Sequence, residues 1–101
     1  MESVVEVVIF DVKKNRQEDW KKSMKQWVEF IEKQPGFISH KYIQSMDNPR
    51  NYVQILEFQD KPKAQKILED YKLKVGEHDF EVFFSLLNKK PIIEYYNKVE
   101  F

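Results

Sequence analysis

Residues 37–58 read FISHKYIQSMDNPRNYVQILEF. Two β-prone runs, Phe37 to Met46 and Tyr52 to Phe58, flank Asp47-Asn48-Pro49-Arg50-Asn51, a cluster of turn-forming residue types. The pattern predicts a β-hairpin with a five-residue connection. A hairpin at the centre of the chain decides the fold through what stands on either side of it.

On the N-terminal side, Asn15 to Gln34 carries Trp20, Met24, Trp27, Val28 and Ile31 at i, i+4, i+7, i+8 and i+11, one apolar helical stripe. Asn15 followed by Glu18 fits a capping box, and Pro35-Gly36 ends the helix and turns the chain. Before it, Val4 to Val12 reads VVEVVIFDV, a nearly continuous β-branched run of the kind buried on both faces of a sheet. On the C-terminal side, Asp60 caps a second helix with Pro62 in its first turn, and Ala64, Ile67, Leu68 and Tyr71 form its inner face. Gly76 breaks it. A short third helix over 79–88 presents Phe80, Phe83, Phe84 and Leu87, Pro91 ends it, and Ile92 to Val99 forms a last strand.

The resulting order, β-α-β-β-α-(α)-β, is that of an α+β, ferredoxin-like βαββαβ domain with a short extra helix before the last strand. Right-handed crossovers then place four antiparallel strands in one sheet with both long helices on one face. The chain of 101 residues reads as one domain, 1–101. The first strand carries Val4, Glu6, Val8 and Phe10 on one face and Val5, Val7, Ile9 and, through a slip, Val12 on the other; Tyr52, Leu56 and Phe58 oppose Val53 and Ile55 on the third strand, and Ile93, Tyr95 and Val99 oppose Ile92 and Tyr96 on the last, so whichever face the helices leave open is apolar. Such an apolar face predicts a homodimer packed sheet on sheet.

Composition narrows the function. Lysine plus arginine equals aspartate plus glutamate, 17 each, which argues against nucleic acid and anionic membranes as partners. No cysteine is present, which excludes thiolate metal sites and thiol nucleophiles and fits a reducing compartment. With two glycines there is no GxGxxG motif and no P-loop. The N-terminus MESVVEVVIF lacks the features of a signal peptide, and no apolar run approaches the ~20 residues that span a bilayer. A cytoplasmic protein is expected. Two histidines are too few for a histidine-rich metal site, so no metal is expected. Aromatic residues, 15% of the chain, mean either a large core or a pocket and interface rich in rings, the latter suited to a small apolar or aromatic molecule.

The helical stripe, the Pro35-Gly36-Phe37 turn, the junction YVQILEFQDK over 52–61 and the aromatic segment running into Pro91 resemble the antibiotic biosynthesis monooxygenase family over roughly Val4 to Val99. The resemblance implies a dimeric α/β barrel with a pocket between sheet and helices in each protomer. It also implies a monooxygenase-like protein acting on a small aromatic or quinol-type substrate without a tightly bound cofactor. The alternative is a non-catalytic dimer that binds a small ligand, haem included. Haem-degrading members use an Asn on the first strand, a Trp early in the second-helix region and a His about ten residues on; only His78 has a counterpart here.

His78, between the second helix and the aromatic helix, is the candidate general base, since imidazole titrates near neutrality. The competing reading, an ordinary loop or N-terminal helix residue in Glu77-His78-Asp79, is the simpler one. His40, Tyr42, Trp27, Phe83 and Tyr95 are the candidate substrate-binding residues, each with a competing structural role in the core, the sheet or the dimer seam. Glu6 and Glu57 are carboxylates in otherwise apolar strands; a buried one would have a raised pKa and serve as a base.

Overall fold

The computed structural model describes residues 3–101; Met1 and Glu2, the first residues of the expected domain, lie outside the described residues. The elements are β1 (Val4–Asp11), α1 (Gln17–Ile31), β2 (Phe37–Gln44), β3 (Asn51–Phe58), α2 (Lys61–Val75), α3 (Glu77–Ser85) and β4 (Ile92–Asn97). The strands form one antiparallel sheet in the order β2-β3-β1-β4, as the ferredoxin-like reading requires.

The core lies between the sheet and the helices. Val4, Val8 and Phe10 of β1 and Tyr52, Leu56 and Phe58 of β3 pack with Trp20, Met24 and Ile31 of α1 and Ala64 and Ile67 of α2. β1 is therefore buried on its even-numbered face only, and Val5, Val7 and Ile9 stay partly exposed on the other. The expectation of a strand buried on both faces is corrected to that extent. Val12 also keeps the even phase: it is fully buried and bridges to Leu87, so no slip carries it to the open face.

Local chemistry accounts for the other boundary differences. Asn15 has φ 65 and sits before the helix, so the expected capping box does not form; Arg16 is the N-cap, with no side-chain hydrogen bond. The end of α1 tightens into turns in which Lys33 and Gln34 N–H donate to Phe30 and Ile31 carbonyls, three residues back. β2 stops at Gln44 and slips register between Phe37 and Ser39, so the loop runs over 45–50. At α2 the expected cap is present: Asp60 Oδ1 accepts from Lys63 N–H at 2.8 Å, and Pro62 lies in the first turn, where no intrahelical N–H is needed. α3 starts two residues before the expected position, because Gly76 (φ 86, ψ 160) reverses the chain within one residue.

Gly36 makes the tightest of these turns. Its φ is +94, its carbonyl accepts from Gln59 N–H at 2.8 Å, and a Cβ there would stand 2.7 Å from Lys63 Cδ. Gly36→Ala therefore meets both a left-handed backbone and a crowded neighbour. It is expected to lower the unfolding free energy by about 1–2 kcal/mol, measured by urea denaturation. An unchanged midpoint would show that the turn relaxes freely.

Candidate functional site

A cavity of about 460 Å³ opens between the even face of β1 and the three helices. Its walls are mainly aromatic. Ring contacts run without a break from Trp27 to Tyr71 (5.0 Å between centroids), Tyr71 to Phe80 (6.1 Å), Phe80 to Phe84 (5.8 Å), Phe84 to Phe83 (5.7 Å) and Phe83 to Phe10 (6.2 Å). All six of these residues line the cavity. The i, i+3, i+4 spacing of Phe80, Phe83 and Phe84 puts three rings on one side of α3. Most of these contacts are edge-to-face, the favoured geometry for aromatic pairs.

Two polar side chains stand in the sheet floor of this apolar space. Glu6, 5% exposed, follows the buried phase of β1 and lines the cavity. Burial pushes its carboxyl up to about 7, because little water remains to solvate the anion. Gln54 of β3, 1% exposed, lies opposite Val8, while Glu6 lies opposite Leu56. The two are thus diagonal neighbours on one sheet face. The Gln54 Oε1 accepts from Trp27 Nε1–H at 3.2 Å, which orients the amide, and its Nε2 has no hydrogen-bond partner. Lys72 and Lys90 also lie in the lining, and so does a second carboxylate, Asp79.

The residues expected to form a site divide among four places. Trp27 and Phe83 line this cavity. His40 and Tyr42 line a separate depression under α1, together with Trp20 and Tyr52. There His40 Nε2 stands 3.6 Å from Glu32 Oε1, and burial pushes the Tyr42 phenol well above its ordinary range, the neighbouring Gln54 amide offsetting part of the shift. Tyr95 pairs across the strands with Glu6 on the same face, without lining the cavity; burial, then the Glu6 charge, push its phenol up to about 12. Lys61 Nζ sits 5.0 Å from its ring centroid. His78 is exposed in the first turn of α3 and does not line the cavity.

Sequence reasoning left Gln54 and Tyr71 out of the site and held Glu6 only as a conditional base. The signal for Glu6 and Gln54 was present: each is the one polar residue at a buried phase of its strand. Tyr71 was read as helix core; its ring faces the cavity, and burial, then Asp79, raise its phenol.

Haem was the alternative ligand. No histidine lines the cavity, so the imidazole expected from His78 is not available to an iron there. Among the described residues no group of three or more His, Cys, Asp or Glu side chains could hold a metal ion, and no helix is long and apolar enough to cross a membrane.

A four-stranded antiparallel sheet backed by helices, with a ring-lined cavity between the layers, defines a ferredoxin-like α+β protein. The chain belongs to the antibiotic biosynthesis monooxygenase family, whose description matches residues 3–69. Among solved structures it resembles a conserved protein from Methanosarcina mazei Go1 (20% identity, TM-score 0.81, 98% of this chain and 95% of that one). It also resembles a point variant of SnoaB, a cofactor-independent oxygenase from Streptomyces nogalater (17% identity, TM-score 0.77, 100% and 97%). A third likeness is to a dimeric ferredoxin-like protein from an uncultured marine organism (16% identity, TM-score 0.80, 99% and 90%). At these identities the likeness is one of fold. No curated protein matches the chain.

Proposed function

We propose that residues 1–101 act as a single domain that oxygenates a small phenol or quinol in the Glu6 cavity, with no tightly bound cofactor and as a homodimer. The observation that carries this reading is one buried carboxyl with a pKa near 7 on the floor of a ring-lined cavity. A general base works best when its pKa lies close to the working pH, and burial achieves that here. Family membership and the likeness to a cofactor-independent oxygenase support the same class of chemistry.

Ionised Glu6 takes the proton from a phenolic oxygen, and the electron-rich anion gives an electron pair to dioxygen at the para carbon. The attacked carbon bears hydrogen: its peroxide takes the proton back from Glu6, and the resulting hydroperoxide loses water as its C–H and O–O bonds break and a carbonyl forms. One oxygen atom stays in the quinone and the other leaves as water. The substrate supplies all four electrons, so no external reductant is required. The six rings hold the flat molecule. We assign the base role to Glu6 rather than to the exposed His78.

The test is oxygen uptake with a panel of quinols and flat phenols across pH. Because Glu6 acts ionised, turnover is expected to rise with pH and reach half its plateau near 7. A rate that falls through that range would remove Glu6 as the base. Quinol binding with no oxygen uptake at any pH would leave a non-catalytic ligand site instead.

A further inference from the structure

Tyr95 is the one residue of β4 that is not exposed. β4 lies at the edge of the sheet and pairs with β1 alone. Its residues Ile93, Tyr95 and Asn97 stand opposite Val8, Glu6 and Val4, so all three share the helix-side face. Ile93 is 42% exposed and Asn97 is exposed too, so the helices leave most of this strand in water. Tyr95 alone packs against the core, and it does so directly opposite Glu6.

That position decides how dry Glu6 can be. The carboxyl stands one strand in from the free edge, yet Glu6 is almost fully buried. On its β3 flank the residue opposite is Leu56, which has no exposed surface. On its β4 flank the Cβ of the residue opposite lies about 5 Å away, near enough for a ring to cover a carboxyl. Lys61 of α2 lies over that ring, its Nζ 5.0 Å from the centroid, a cation–π contact that favours this placement. The other ionisable groups around the carboxyl are Tyr71, Lys72, Asp79 and Lys90 in the cavity lining; α1 and β3 add none there. Burial is nonetheless what raises the Glu6 pKa, so whatever excludes water sets it.

We propose that Tyr95 is a positioning residue for Glu6: its ring covers the carboxyl on the side of the free sheet edge and keeps the base dry. The phenol stays neutral at working pH, since its own pKa is pushed up to about 12, so the ring acts through its bulk. Tyr95 matters to turnover only through Glu6, so its part in the reaction rests on the reading of Glu6 as the base; its effect on the titration of Glu6 does not.

Carbon NMR of protein labelled at its glutamate carboxyls follows the titration of Glu6 directly, with Glu6→Gln assigning the signal. In the wild type the midpoint is expected near 7. Tyr95→Phe keeps the ring and is expected to leave the midpoint in place. Tyr95→Thr suits a strand but is too short to cover the carboxyl, and is expected to lower the midpoint by about one pH unit or more. Tyr95→Leu, apolar and of middle size, is expected to fall between the two, and thermal melting verifies that each variant folds. The pH of half-maximal oxygen uptake is expected to follow the Glu6 midpoint, and the plateau to fall, because a weaker base takes the proton less readily. A loss of stability alone would move neither. An unmoved Glu6 midpoint in the folded Thr and Leu variants, or a Phe variant shifted as far as Thr, would overturn the proposal and leave Glu6 as the base. A midpoint that moves as expected in a protein with no oxygen uptake would sustain the role of Tyr95 and sink the oxygenase reading. A wild-type midpoint at the ordinary carboxylate value would overturn both.

Discussion

Glu6→Gln is expected to lower oxygen-dependent turnover about 100- to 10,000-fold, the usual contribution of a general base, while substrate binding changes little. The amide has the shape of the acid and the same place among Val8, Phe10 and the cavity rings, but it cannot take a proton. The same variant tests the burial argument by a route independent of activity. Burial pushes the Glu6 carboxyl up to about 7 in the folded protein, from an ordinary value of 4.5. A carboxyl raised on folding is bound to its proton more tightly in the native state than in the unfolded one. Its contribution to stability is whole below about 4.5 and is lost as pH rises through 7. The loss is on the order of 3 kcal/mol at most. Gln has no such loss, so the variant is expected to match the wild type near about pH 5 and to exceed it above about pH 8. Urea denaturation at the two pH values measures the difference. A constant gap between the proteins would mean that the carboxyl is solvated and that the cavity floor is not the dry place described above.

The order of elements was legible because each carries a strong local signal. The Trp20-Met24-Trp27-Ile31 stripe, the Asp60 cap and the turn-forming residues around Pro49 do not depend on tertiary context. Where the reading failed, a single backbone angle or a phase decided the matter. Asn15 looks like a cap by type, but at φ 65 it turns the chain one residue before the helix. Val12 keeps the strand's alternation, and only its bridge to Leu87, contributed by a segment 75 positions away, shows which face it joins. The site was harder still. A histidine between two helices is conspicuous in a sequence, whereas a glutamate inside a β-branched strand reads equally as a strand-end residue. Only the packing of α1, α2 and α3 over the sheet makes Glu6 a cavity residue, and that packing is set by many weak apolar contacts. Likewise His40 and Tyr42 share the helix-side face of the sheet with Glu6 but lie on its outer strand, β2, which puts them in another space. Strand phase was readable; the division of one sheet face into two depressions by Met24 was not.

Val7→Lys is expected to turn the proposed dimer into a monomer without unfolding the protomer. Val7 lies on the open face of the sheet, opposite Ile55 of β3, with Val5 and Ile9 beside it on the same strand. Ile9 in turn faces Val53 and Ile92, and Ile43 of β2 extends the surface past Val53. Ile9, Ile43, Ile92 and Tyr96 are 38%, 49%, 44% and 47% exposed, a wide apolar surface for a lone protein to leave in water. Carboxylates stand beside the β1 valines on the flanking strands: Glu57, opposite Val5, accepts from Ser3 and, at 2.6 Å, from Lys98, and Glu94, opposite Val7, accepts from the Tyr96 hydroxyl. Across a two-fold axis each residue near the centre faces the same patch of the partner, so lysines enter from both sides. Each lysine has Glu94 of its own protomer opposite it on β4, but two ammonium groups brought together and desolvated in the seam still cost several kcal/mol, enough to dissociate an interface of ordinary affinity. Within the protomer Val7 does not belong to the helix-side core, so circular dichroism should stay that of the wild type. Light scattering coupled to size exclusion then decides: twice 12.3 kDa for the wild type and 12.3 kDa for Val7→Lys. A wild type that runs as a monomer at micromolar concentration would refute the dimer. A Val7→Lys protein that stays dimeric would move the interface off this face, and the apolar surface would then need another occupant.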